Sequence, residues 1–338
     1  MDYLKKIIKR NSKSFIKIEE LFYLNELLQS DLPLKACLNL ITNKQNEKLI
    51  SDLLVKLEKG SLIEEIIDDY LPKEISAYMK NLLVSLSFKE SLTLALSFYN
   101  KNKENAVALR KAISYPIVLL FISLTALYLF DSYGLDSILN LMKSFNASTG
   151  GFIFLRIILK ILVYFFYFSF IVISIIFLIF INDKRITLFY IILSKYLPNS
   201  IIKIYFTEDF VSLLVITLNL GYKSKEALEI LKRLKNKPVI SFLAFHLDDG
   251  LLEGKSLTEA SKKTYFDETL EKFMNIASYT TNFTGILENY VELANSKIVN
   301  SMKLLTTILQ LISYAIVGFV IVFIYQVLFL PMQAIISF

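Results

Sequence analysis

Residues 111–130 read KAISYPIVLLFISLTALYLF, from Lys111 to Phe130. Between Ala112 and Phe130, 19 residues pass without one charge. At roughly 1.5 Å of rise per residue, that is about 28 Å of helix, the thickness of a bilayer's hydrocarbon core. The residues just before it are highly charged and follow helical spacing. This is where a water-soluble helical region is expected to run into a membrane. Pro116 is expected within the first turns of the membrane helix. There a missing N–H costs little, because the first amides of a helix have no intrahelical partners.

Working outward, the charges are distributed in blocks. Residues 1–111 hold 18 Lys/Arg and 15 Asp/Glu, and residues 182–303 hold 16 and 14. Residues 112–181 hold three and two, and 304–338 hold none. The whole chain of 338 residues is 54% hydrophobic, with a mean hydropathy of +0.52. This predicts two charged helical domains, separated and followed by membrane segments. The expected division has a basic segment at 1–17, a first helical domain at 18–111 and a first span at 112–130. A loop at 131–156, a second span at 157–181, a second helical domain at 182–303 and a third span at 304–331 follow. A tail at 332–338 ends the chain. Arg156 and Lys160, at the start of the second span, are expected to snorkel outward.

Orientation follows from the basic residues. Lys143 and Arg156 are the loop's only cations, whereas Arg110, Lys111, Lys184, Arg185, Lys297 and Lys303 flank the spans on the other side. The N-terminus and both charged domains are therefore expected in the cytoplasm, with the short loop outside. The net charge of +6 is spread over both domains. It is explained by juxtamembrane cations and does not mark a nucleic-acid-binding protein.

Within the first domain, Leu21, Leu24, Leu28, Leu34, Leu38 and Ile41 recur at helical spacing, broken at Asp31-Leu32-Pro33. Gly60-Ser61 and Leu71-Pro72 mark further breaks, giving about six helices. No strand-like alternation persists, so the fold class is all-α. The second domain repeats the first. An offset of 190 carries Leu24, Leu28, Lys35 and Leu38 onto Leu214, Leu218, Lys225 and Leu228. An offset of 195 carries Ser61-Leu62 onto Ser256-Leu257 and Leu92 onto Leu287, and it also carries the first span onto the third. The unpaired second span returns the chain to the cytoplasm, so that both copies lie on one side.

No catalytic constellation stands out. Cys37 is the only cysteine and His246 the only histidine, and both are expected as packing residues. Gly250 to Ser256, GLLEGKS, has three residues between its glycines where a phosphate loop needs four. Asp68-Asp69 and Asp248-Asp249 are expected as solvated helix ends. No metal site, cofactor or enzymatic activity is expected.

A set of features in register remains. Lys111 to Pro116 opens the first span. Gly221 with Ala227-Leu228, echoed by Leu32-Pro33-Leu34 with Cys37-Leu38, follows a G-L-P-L-x-x-A-L pattern. Gly285 and Leu287 match the second half of a G-E-x-x-G-x-L turn, while Gly318 and Pro331 sit in the last span. These features resemble the type II secretion system F family, the polytopic platform proteins of type II secretion, type IV pili and the competence pseudopilus. The resemblance implies a non-enzymatic platform in the cytoplasmic membrane. Its partners would be a hexameric assembly ATPase, pilin or pseudopilin subunits, the bilayer and further copies of itself. Lys111, Tyr115, Pro116, Gly221, Gly285, Gly318 and Pro331 would serve as structural or coupling residues. The family's Gly-Glu turn is Leu86-Ser87 in the first copy and Thr281-Asn282 in the second, and its Glu-Pro near the last span is Gln310-Leu311. No cation site is therefore carried over. Short length and Lys/Ile/Asn/Phe-rich usage lean toward the competence type. The alternative is a transport permease subunit, for which three spans with few breaks are a poor match.

Overall fold

The computed structural model describes residues 15–144, 149–181, 183–262 and 265–336, and among these every regular element is helical. The first copy opens with α1 (Ile18–Gln29), α2 (Leu34–Leu40), α3 (Glu47–Glu58), α4 (Ile63–Tyr70) and α5 (Lys73–Leu82). It ends in α6 (Phe88–Leu129). Helix α1 forms because Leu21, Leu24 and Leu28 put one apolar stripe on its inner face, where all three are buried. Glu20 closes its first turn by accepting the Lys17 amide at 3.0 Å. Pro33 and Pro72 stand immediately before α2 and α5, where a missing amide costs nothing.

The chain continues through α7 (Leu135–Ser144), α8 (Gly150–Ile181) and α9 (Asp183–Tyr196). The second copy follows as α10 (Ile201–Asn219), α11 (Ser224–Lys232), α12 (Pro238–Leu252), α13 (Leu257–Ser261), α14 (Glu268–Ser278) and α15 (Phe283–Ile336). The repeat read from the sequence recurs in the helix boundaries. An offset of 190 carries Leu34, the start of α2, onto Ser224, the start of α11. An offset of 195 carries Lys73 onto Glu268 and Phe88 onto Phe283, the starts of α14 and α15.

The turns repeat as well. Asp31 closes α1 with φ at 57°, and Gly221 closes α10 with φ at 94°. Gly60 and Gly254 adopt φ of 73° and 80° after α3 and α12. These left-handed positions suit glycine because it has no Cβ to clash with the following carbonyl.

Two compact units result. The first comprises residues 1–104 and 186–295, and so contains the helical segments of both copies. The sequence reading gives each copy a bundle of its own, whereas one continuous buried core here draws on both. Leu24, Leu38, Ile67 and Phe98 from one copy share that core with Phe210, Leu228, Leu243 and Leu287 from the other. Cys37 is fully buried in it. The Asn81 amide also donates to the side-chain oxygen of Asn236 at 3.1 Å.

The second unit comprises residues 105–185 and 296–338. It changes the sequence reading in two places. Within 131–156, expected as a loop, the described residues are largely helical: a π-turn at Phe130–Gly134 leads into α7. The reason is a helical stripe, with Leu135, Ile138 and Met142 all buried. Arg156 does not point outward, because its guanidinium lies 2.9 Å from Asp136 and 3.6 Å from Asp131. Pro116 also stands elsewhere than expected. Helix α6 starts at Phe88, so Pro116 lies deep in its interior and removes a hydrogen bond to the carbonyl of Ala112.

Among the described residues, one helical stretch, Phe283–Phe319, is long and apolar enough to cross a membrane, with a mean hydropathy of 1.6 in its most apolar window. The runs at 112–130 and 157–181 fall within α6 and α8, where many side chains lie outside those described.

Close packing within the second copy can be tested directly. A Cβ on Gly250 would meet the Cβ of Ala260 at 2.8 Å, so this glycine lets α12 and α13 approach. Gly250→Ala is expected to cost about 1–3 kcal/mol through overpacking. Gly221→Ala, which meets nothing within 4 Å, should cost only the conformational term, about 1 kcal/mol. Urea unfolding followed by circular dichroism would order the two.

Candidate functional site

Helix α10 reads IIKIYFTEDFVSLLVITLN, with apolar residues around its whole circumference. A helix of that composition buries every face, so any charge on it has to be neutralised in place. Lys203, Thr207, Glu208 and Asp209 are all buried. Each of the two carboxylates has found a cation.

Glu208 meets Lys101 of the first copy at 2.7 Å, with side-chain exposures of 2% and 15%. Asp209 is held by both oxygens on the Lys237 ammonium, at 2.8 and 2.6 Å. Beside them, the Asp267 amide donates to the Thr207 hydroxyl at 3.1 Å, and the Tyr290 hydroxyl donates to the Asp267 carboxylate at 3.4 Å. Burial pushes the Glu208 carboxyl above the usual carboxylate range, against the pull of Lys101. Burial also holds the Lys203 ammonium below its ordinary value, partly offset by Glu268 and Asp267. The phenol of Tyr205 is pushed up to about 12 by burial and then by Asp209. Tyr78 and Tyr290 shift in the same direction, chiefly from burial.

The cluster is a fastening. Its charges are spent on one another, and Lys101–Glu208 joins the two copies through the core. Besides the Asn81–Asn236 bond, Tyr222, next to Gly221, meets Glu90 of the first copy. Sequence reasoning passed over Lys203, Glu208 and Asp209. The available signal was their position inside a run that is apolar on both sides.

The residues singled out from the sequence are scattered. Gly221 ends α10 in its left-handed conformation, and the adjoining Ala227 and Leu228 are buried. Gly318 lies in α15 with open space around its Cα. Lys111, Tyr115 and Pro116 lie within α6 and Pro331 within α15, and their side chains are outside the described residues. Gly285 has a defined role. Its amide donates to the Asn282 side chain at 3.1 Å, and a Cβ on it would lie 2.4 Å from the Asn282 amide nitrogen. Asn282 thus caps the first turn of α15. Ser87 does the same for α6, accepting the Glu90 amide at 3.3 Å while Glu90 accepts the Ser87 amide at 2.9 Å. The two positions where the family turn has Gly-Glu are therefore helix caps here.

The other motifs resolve into packing and pairing. In the GLLEGKS stretch, Lys255 pairs with Glu253 and Ser256 caps α13 with Glu259. His246 packs edge-on to Phe242 and tilted against Tyr265, with ring centroids at 4.3 and 4.8 Å. Asp68 and Asp69 are partly exposed and pair with Lys80 and Lys56. Asp248, expected in solvent, is buried 2.5 Å from Lys232. Among the described residues no group of three His, Cys, Asp or Glu side chains could hold a metal ion. An apolar cavity of about 70 Å³ lies in the core of the first copy, lined by Ile16, Leu24, Leu38, Leu53 and Ile67 among others.

Compared with known families, residues 210–331 match the model for protein F of the type II secretion system (T2SS). The match takes in Lys237, Asp267 and Tyr290 of the cluster, together with Gly221, Gly285, Gly318 and Pro331. No curated protein matches the chain.

The fastening makes a signed prediction. Lys101→Met leaves Glu208 buried without its cation and is expected to cost about 3–5 kcal/mol. Adding Glu208→Gln should recover most of that loss. In the single variant the folded-state pKa of Glu208 stands still further above its unfolded value, so the folded state binds the extra proton. The variant's stability should therefore rise as pH falls from 7 toward 5, with a steeper slope than in the unsubstituted protein. Urea midpoints across that pH range would show both effects.

Proposed function

We propose, for a chain whose residues 210–331 belong to the type II secretion system protein F family, that it is the membrane platform on which a pilus-like filament is assembled. The family assignment supports a platform protein of the type II secretion and type IV pilus kind in general. The repeated helix boundaries extend that reading to the first copy. In this proposal a hexameric cytoplasmic ATPase acts on the helical unit, and pilin-like subunits receive the motion within the bilayer. Lys/Ile/Asn/Phe-rich usage leans this proposal toward the competence pseudopilus as the machine.

The observation that carries the reading is the pair of continuous helices, α6 and α15. Each opens with a capped turn among charged residues and ends in an uncharged run. Large apolar side chains stand exposed along those runs and along α8. Phe121 is 70% exposed, Phe165 65%, Leu311 63% and Tyr325 64%. Such a surface fits lipid and would aggregate in water. Three spans, with both ends of the helical unit in the cytoplasm, account for it.

Topology is tested by labelling. In a Cys37→Ala background, cysteines at Ser144 and Ser337 should react with an impermeant reagent in intact cells, and one at Ser256 should not. Labelling at Ser256 would reverse the orientation.

Coupling is tested at the joint. Helix α6 passes through Lys111 to Pro116 without a break. A flexible Gly-Ser insertion after Lys111 should leave the protein inserted and bound to its ATPase while abolishing filament assembly. Normal assembly by a stably expressed insertion variant would remove the coupling proposal.

A further inference from the structure

Helix α9 follows α8 with only residue 182 between them. Its inner face packs into the first unit. Tyr190 and Ser194 are fully buried, and the Tyr190 ring meets Phe206 edge-on at 5.2 Å. The outer face is unlike that of a solvated helix. Leu188, Ile192 and Tyr196 recur every fourth residue and are 60%, 58% and 72% exposed, with Leu197 next to them at 57%. The stripe is bordered in sequence by Lys184, Arg185 and Lys195, against the single acid Asp183.

We propose that α9 lies on the headgroup surface of an anionic phospholipid bilayer, with Leu188, Ile192 and Tyr196 reaching the acyl boundary. Two observations select lipid as the occupant. The first is covalent continuity. A helix whose first residue follows the end of a membrane span by two positions is held at the interface, and its next residues rise only about 1.5 Å each. The second is charge. An apolar stripe edged by cations and ending in tyrosine has the composition of an interfacial helix, in which basic residues meet anionic headgroups and aromatic residues sit at their level. The proposal rests on the membrane reading of residues 157–181. In that setting α9 is a contact of the helical unit with the bilayer additional to the spans.

The test uses the full-length chain with Cys37→Ala, reconstituted in vesicles of phosphatidylethanolamine and phosphatidylglycerol. An environment-sensitive fluorophore is attached to single cysteines at Leu188, Ile192 and Tyr196. Lipids with a nitroxide near the headgroup act as quenchers. Ile171→Cys, within α8, reports whether the span is in lipid at all. Leu252→Cys, 74% exposed but next to Glu253, reports on an apolar side chain with acidic neighbours. The expected result is blue-shifted, quenched emission at 188, 192 and 196 and water-like, unquenched emission at 252. Blue-shifted emission without lipid quenching at the α9 positions would mean that protein covers the face and would overturn the proposal. So would equal quenching at 252. Absence of quenching at 171 by a second set of lipids, with the nitroxide deep in the acyl chain, would overturn the membrane reading itself, and the α9 proposal with it.

Discussion

Glu208 can be buried only because Lys101 reaches it. A carboxylate with 2% of its side chain exposed loses nearly all of its hydration, and one ammonium at 2.7 Å replaces it. That ammonium comes from the other copy of the repeat. Any arrangement of the copies that keeps Glu208 buried but moves Lys101 away leaves an unpaired buried charge, so the pair selects one fit of the copies. Asp209 and Lys237 satisfy their charges within the second copy and leave Lys101–Glu208 as the buried ion pair between copies among the described residues.

The pair is also asymmetric. At the repeat offsets, Glu208 corresponds to Ile18 of the first copy, and Lys101 corresponds to Ser296 of the second. No reciprocal bridge can form. Two copies related by a true twofold axis would make each contact twice. Here the core is shared but the ionic contact is made once, so the second copy fits the first in one arrangement. Buried charge of this kind adds little net stability against a well-packed apolar alternative, and its effect lies in excluding other registers. The caps show the same divergence. Ser87 with Glu90 and Asn282 with Gly285 perform one task with different chemistry.

The sequence made the helices legible because most of them bury one stripe. Leu21, Leu24, Leu28 and Leu38, which recur at helical spacing, are buried. Charge blocks likewise separated the polar and apolar stretches. What the sequence concealed falls into three kinds. Charges on a helix buried on all sides look like charges on a solvated one, so Glu208 and Asp248 gave no sign of burial by themselves. The stripe of Leu135, Ile138 and Met142 is only about two turns long, short enough to be taken for a loop between glycines. The start of α6 was hidden by the composition change at Lys111, which marks a change of solvent and leaves the backbone unbroken.

That last point bears on how a platform could work. Helix α6 has 42 residues, about 63 Å of continuous backbone. Lys101 lies on it ten positions before Lys111, at the site where the second copy takes hold. In the proposed reading, force applied to either copy enters the same helix, one through its own packing and the other through the buried ion pair. The interior proline at 116 then matters more than it would at a helix start. It removes one intrahelical hydrogen bond, and an interior proline is the usual place for a helix to yield. A shaft that is stiff through Lys111 and yields at Pro116 would convert a push in the cytoplasm into a change of angle at the membrane surface.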